Sequence, residues 1–126
     1  CTEQEEKFKG VCYFYSPIYY LNLHNDDYEG ALKWCLTAEP DQVMACTKGL
    51  GSRAMKYNLS DPKLVESICE NGSIDQKPIC IDGMISYYLV NFESLNKGRD
   101  LCAGLKPENA AICLTSLESR SSLFGE

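Results

Sequence analysis

The chain has 126 residues, a hydrophobic fraction of 44% and a formal net charge of −6 at pH 7. This length accommodates one modest core or a few stacked repeats, and the apolar content is that of a folded protein. The acidic balance argues against a nucleic-acid partner, since phosphate binding calls for a basic face, and no apolar run is long enough for a transmembrane segment. With no signal peptide either, we expect a mature or trimmed exported domain.

The cysteines form a regular lattice. Ten residues separate the two members of each pair, and the first members of successive pairs are 34, 34 and 33 residues apart. The eight residues are Cys1, Cys12, Cys35, Cys46, Cys69, Cys80, Cys102 and Cys113. A fixed period of this length is typical of repeat arrays. It predicts one helical-repeat domain over 1–126, with units of about 1–34, 35–68, 69–101 and 102–126.

No helix precedes Cys1, as one does before the cysteine pairs of the other units, so we expect the chain to be either a fragment of a longer array or an array whose first unit is half a hairpin. The aromatic run 13–20 of the first unit contains Pro17, which should kink or end the helix formed there. We expect Tyr13, Phe14 and Tyr19 to form an exposed aromatic patch, because tyrosine supplies large contact area in binding hot spots.

An alternative assigns the same run to the core. Aromatic residues at helical spacing are usually buried, and Tyr15, Tyr19 and Tyr20 could pack the first unit onto the second. In that case the rings replace the bulk missing at Gly49 and Ala54 in the second unit. The sequence leaves both interpretations open.

Each later unit is predicted to contain a short helix A followed by a longer helix B. Helix A ends at the first cysteine, where a large apolar residue precedes Cys35, Cys69 and Cys102, and Pro62 marks the start of one copy. The segments that join helices contain clusters of asparagine, serine and aspartate, which favour turns. The predicted unit is therefore an α-hairpin, and the predicted fold class is all-α.

Helix B is predicted from apolar or small residues at offsets −1, 0, +3, +4 and +8 from the second cysteine, which trace one helix face. The pattern places it at about 40–57 and 74–91 in the two most regular units. Pro40 and Pro107 suit a first helical residue. Pro78 falls in the first turn and is expected to delay the start of its helix.

Two disulfide connectivities are compatible with antiparallel helices, because each would bring the paired cysteines to the same height on neighbouring helices. Pairing across the ten-residue gap uses all eight cysteines, whereas pairing across the longer gap leaves Cys1 and Cys113 unpaired. The shorter gap is also constant, so we predict the pairs 1–12, 35–46, 69–80 and 102–113. The even, wide spacing without C-x-x-C favours disulfides and an extracytoplasmic, oxidising compartment over a metal site.

Two stretches resemble a known superfamily: 27–35, DYEGALKWC, at the end of a helix A, and 46–51, CTKGLG, in the next helix B. They are similar to tetratricopeptide and Sel-like repeats, in particular to the secreted, cysteine-rich bacterial members. The resemblance implies an α-solenoid of about four hairpins whose curved helical surface binds a protein or peptide.

Catalytic chemistry finds no support in the residue pattern. His24 is the only histidine and lies in a predicted turn beside Asp26 and Asp27, where it has no catalytic partner. Secreted ribonucleases need two histidines, and no serine–histidine–aspartate arrangement can be proposed. We expect no enzyme activity, no metal and no cofactor.

Two kinds of modification remain open. Asn58 and Asn71 each begin a glycosylation sequon in a predicted turn. Cys1 could carry a lipid, although its register favours pairing with Cys12.

The favoured hypothesis is a non-enzymatic, secreted or periplasmic interaction scaffold for a protein or peptide, which could self-associate through its end repeats. The alternative is a small secreted helical carrier whose disulfides close a bundle around an apolar ligand. A stack in which each unit contacts only its neighbours would favour the scaffold, and an enclosed cavity would favour the carrier.

Overall fold

The computed structural model describes residues 1–124, so the last two residues of the predicted fourth unit lie outside the described part. The fold is all-α, as predicted. Its helices are α1 (Glu6–Leu23), α2 (Tyr28–Cys35), α3 (Val43–Lys56), α4 (Pro62–Glu70), α5 (Gln76–Phe92), α6 (Leu95–Ala103) and α7 (Pro107–Glu118). Short 3₁₀ turns lie at Pro40–Gln42 and Ser121–Leu123.

The short helices α2, α4 and α6 are the predicted A helices. Each begins after a side-chain cap, in which Asp27, Asp61 or Ser94 accepts a hydrogen bond from the backbone N–H three residues later. Such caps satisfy an amide that has no partner within the helix. Helix α2 ends at Cys35, and α4 and α6 end one residue after their cysteines.

The B helices α3, α5 and α7 begin close to the predicted positions. Pro107 is the first residue of α7, whereas Pro40 starts the 3₁₀ turn that precedes α3. Helix α5 begins at Gln76, two residues later than expected, and Pro78 is its third residue. Because the first-turn amides of a helix have no acceptor within it, proline at this position breaks no helical hydrogen bond.

Helix α1 is the B helix of the first unit and runs through Pro17 without ending there. The prediction that Pro17 could end the helix was therefore wrong. Proline leaves the carbonyl four residues earlier, that of Tyr13, without its amide donor. The Ser16 hydroxyl replaces that donor, with its Oγ 2.7 Å from the Tyr13 oxygen.

The four predicted disulfides are all formed, with Cα–Cα distances of 5.4–5.6 Å. Three of them join a helix A to the following helix B, and their six cysteines are at most 1% exposed. The first bridge differs, since it ties the segment before α1 to Cys12, and Cys1 is exposed.

The most extensive helix contacts lie between successive B helices, in the pairs α1–α3, α3–α5 and α5–α7. Glycine permits these close approaches. A Cβ atom at Gly49 would overlap the backbone oxygen of Phe14 in α1, and one at Gly83 would overlap that of Lys48 in α3. The extensive contacts join only helices that are adjacent or next but one in the chain.

Buried polar side chains add longer links that the sequence did not reveal. Gln76 Nε2, at the start of α5, donates to the Leu32 oxygen of α2 at 2.8 Å. The Glu66 carboxylate of α4 accepts from the Lys106 amide at 2.7 Å and from Asn109 Nδ2 at 2.9 Å, at the start of α7. Each link joins a helix A to a B helix further along the chain.

Candidate functional site

A groove of about 480 Å³ crosses the three later B helices and opens to solvent. We call it the B-helix groove. Most of its lining is apolar, and each of α3, α5 and α7 contributes to it. The lining residues are Met44, Ala45, Lys48, Pro78, Ile79, Asp82, Ile112, Thr115 and Ser116.

The apolar part of the groove follows the cysteine lattice. Ala45, Ile79 and Ile112 each precede the second cysteine of a unit, and all three are partly exposed. A helix turns by about 100° per residue, so a neighbour of a fully buried cysteine lies at the edge of the core. The apolar −1 positions were predicted to share one face of helix B with the cysteine; in the structure they line the groove, and Ile112 also packs against the core.

A charged cluster lies at one side of the groove. Arg120 makes two hydrogen bonds to Asp82, at 2.7 and 3.0 Å, and Lys48 Nζ lies 3.3 Å from the same carboxylate. Burial alone would raise the pKa of Asp82, but hydrogen bonds from Arg120 and Ser116 and the nearby cations hold it below its ordinary value. Two cations around one carboxylate leave this side of the groove locally positive.

A smaller hollow, of about 200 Å³, lies across α1, α3 and α5. Its lining combines aromatic rings with two cations, Arg53 and Lys56. Both cations also lie over the ring of Tyr57, at 4.4 and 5.7 Å from its centroid. Phe14, one of the predicted binding residues, is partly buried and lines this hollow.

The predicted aromatic patch does not exist as a unit. Tyr13 is only 8% exposed, and its hydroxyl donates to Glu39 at 2.9 Å, so its predicted exposure was wrong. Tyr13 occupies the position of the fully buried Thr47 and Ile81, one residue after the second cysteine, whereas Leu114 at the same position of the last unit is 39% exposed. Tyr19 is exposed, as predicted.

Of the three tyrosines that the alternative packed between the first and second units, Tyr15, Tyr19 and Tyr20, only Tyr20 packs against the core. Tyr15 and Tyr19 are 58% and 67% exposed. They belong to a longer line of exposed apolar side chains on α1 that the sequence reading missed, which we call the α1 stripe. Its members are Phe8, Val11, Tyr15, Tyr19 and Leu23.

Other residues singled out in the sequence have structural roles. The His24 ring stacks on Tyr20, with 4.1 Å between centroids, and Asp27 caps α2. Asn58 donates to the Ala54 oxygen at 2.8 Å, whereas Asn71 is exposed at the end of α4. Within residues 1–124, no group of three or more histidine, cysteine, aspartate or glutamate side chains could hold a metal ion.

Comparison with protein-family models, with curated proteins and with solved structures found no match to this chain. Among the described helices, none is long and apolar enough to cross a membrane. Four disulfides in a chain of this size indicate an oxidising, extracytoplasmic environment.

Proposed function

We propose that this protein is a non-enzymatic, secreted or periplasmic interaction module, an α-solenoid of disulfide-stapled hairpins that binds a peptide segment of a partner protein. The observation that carries the proposal is the B-helix groove, in which successive units contribute an apolar side chain from the same lattice position. A repeated apolar position on neighbouring helices suits an extended or helical segment that places anchors at regular intervals.

The contact pattern supports the solenoid. Extensive contacts join only helices that are adjacent or next but one in the chain, as in a stack where each repeat packs on its neighbours. The groove and the smaller hollow both open to solvent, whereas a carrier of an apolar ligand would enclose its cargo. These features support the scaffold proposal.

The groove also defines the chemistry of the segment. Met44 is 63% exposed, and Ile79 and Ile112 are half-buried in the lining, so the partner should supply apolar side chains. Lys48 and Arg120 outnumber Asp82 in the charged cluster, so an acidic group of the partner should lie next to those apolar anchors.

Selection from random linear peptides displayed on phage tests the proposal, with the oxidised protein as bait. We expect selected peptides to carry apolar anchors next to an acidic residue and to bind with micromolar dissociation constants. The double variant Met44→Ser/Ile79→Ser should weaken this binding by about tenfold or more, because apolar anchors dominate such interfaces.

The matched control is Ile74→Ser, which removes an isoleucine that is 88% exposed and does not line the groove. It should bind the selected peptides like the wild type. Failure to select any peptide, or equal loss of binding in both variants, would contradict the proposal. Stoichiometric uptake of a long-chain fatty acid probe would support the carrier instead.

A further inference from the structure

The α1 stripe is an exposed apolar surface that belongs neither to the core nor to the B-helix groove. Its five side chains, Phe8, Val11, Tyr15, Tyr19 and Leu23, are 50%, 61%, 58%, 67% and 61% exposed. At 100° per residue they lie within an arc of about 120° on one side of α1. The charged residues of α1 are Glu6, Lys7 and Lys9, and all three fall outside that arc.

The equivalent lattice positions in the other B helices show which neighbour this side of a B helix contacts. Tyr15 occupies the lattice position of Gly49 and Gly83, three residues after the second cysteine. Both glycines lie where their helix meets the preceding B helix at backbone distance. A tyrosine here prevents a further B helix from packing in the same way. A neighbour of the stripe therefore cannot pack at the close backbone distance that the glycines permit between the later B helices.

We propose that the α1 stripe is the interface of a homodimer, in which the stripes of two copies of this chain pack against each other across a two-fold axis. This inference does not depend on whether the B-helix groove binds a peptide, because the two surfaces have no lining residue in common.

The area of the stripe fits a second copy. With large apolar side chains of roughly 200 Å² each, these exposed fractions leave about 600 Å² per chain, so two copies would bury about 1,200 Å². That value is at the lower end of stable interfaces, where weak and transient complexes lie, so we expect a dissociation constant on the order of 10–100 µM. An uncharged face with two tyrosines also has the composition typical of homodimer interfaces.

The surface beside the stripe is not flat, which favours a specific fit. A hollow of about 550 Å³ lies between α1, the Cys1–Cys12 bridge and Trp34. Val11, Tyr15 and Tyr19 form part of its lining, so a ring from the second copy can enter it. Insertion of a side chain into a hollow on the partner is how aromatic anchors contribute to interfaces.

Sedimentation equilibrium of the oxidised chain tests the dimer. We expect the mass of a monomer at about 1 µM and that of a dimer at about 1 mM, either side of the expected dissociation constant. The double variant Tyr15→Ser/Tyr19→Ser should remain monomeric at both concentrations. Its far-ultraviolet circular dichroism should match the wild type, because both rings are exposed in the monomer. The control Ile74→Ser, which removes an exposed apolar side chain elsewhere, should dimerise normally.

Tyrosine nitration locates the interface without any substitution. Tyr57 is 59% exposed, close to the values for Tyr15 and Tyr19, but it lies at the end of α3, off the stripe. Nitration by tetranitromethane should reach all three at low concentration and should spare Tyr15 and Tyr19, but not Tyr57, in the dimer.

Two results would overturn the proposal. A wild-type chain that stays monomeric at about 1 mM would show that the stripe is not a homodimer interface. A dimer that persists in the double variant, or that leaves Tyr15 and Tyr19 as reactive as Tyr57, would place the interface elsewhere.

Discussion

The first disulfide and the three later ones have the same sequence separation of 11 residues, yet they serve different parts of the fold. The later bridges join two antiparallel helices, and their sulfurs lie in the core. The first bridge ties a short segment without a helix to the exposed side of α1, and Cys1 is exposed. The same spacing therefore gives a buried bridge between two helices in the later units and a surface bridge in the first unit.

The difference shows that the stabilisation from a disulfide depends on the structure of the loop that it closes. A bridge stabilises mainly by lowering the entropy of the unfolded chain. If the first bridge is cut, residues 1–5 gain conformational entropy in the folded state as well as in the unfolded state. Because the two gains largely cancel, the free energy of unfolding changes little. If an interior bridge is cut, the hairpin must stay closed by packing alone.

The largest expected effect comes from removing bridges. Complete reduction should abolish the cooperative thermal transition seen by circular dichroism, because hairpins this short depend on their staples. The pair Cys69→Ala/Cys80→Ala should lower the free energy of unfolding by about 3 kcal/mol, against less than about 1 kcal/mol for Cys1→Ala/Cys12→Ala. Urea denaturation of both variants measures the contrast, and equal losses would refute it.

A smaller effect is expected where B helices meet. Gly83→Ala places a methyl group against the backbone of α3 and should cost about 1–3 kcal/mol, because neither backbone can yield easily. Gly10→Ala is the matched change at the N-terminal end, where the new Cβ would lie 4.0 Å from Gln42 Oε1. That substitution should leave stability unchanged or raise it by up to about 1 kcal/mol, through helix propensity. The same denaturation series measures both, and a stable Gly83→Ala would contradict the close approach.

The smallest expected effect concerns ion pairs and pH. The lowered pKa of Asp82 means that its carboxylate stabilises the fold above the unfolded-state pKa, about 3.9, and that this contribution is lost as pH falls through the folded-state pKa. Arg120→Met should therefore cost about 1 kcal/mol near pH 6, and the difference from wild type should shrink below about pH 4.

At the N-terminal end the comparable carboxylate is Glu39, whose pKa is lowered first by its hydrogen bond from Lys9 and then by that from Tyr13. Lys9 makes one hydrogen bond to Glu39, whereas Arg120 makes two to Asp82, so Lys9→Met should change the pH profile less. An equal or larger change in Lys9→Met, measured by urea denaturation from pH 6 to low pH, would reverse the proposed ranking of the two regions.

Several features followed from the sequence because their causes are local. Proline at a first helical residue, aspartate or serine at a cap and cysteines at a constant spacing act within one turn or one hairpin. They determined the all-α class, the positions of the helices and the four disulfide pairs. The regular apolar position before each second cysteine was also visible, although its place in a groove was not.

Tertiary structure decided which side of each helix meets a neighbour. A helical period identifies an apolar face, but rotations of about 100° separate successive residues, so Tyr13 could turn into the core while Tyr15 turned outward. Pro17 was tolerated because the Ser16 hydroxyl lay close enough to replace the missing donor. The Gln76 and Glu66 links join residues at least 40 positions apart, and no local pattern encodes them. Helix ends, caps and staples are decided by chemistry within one hairpin, whereas the groove and the exposed stripe depend on how hairpins pack together.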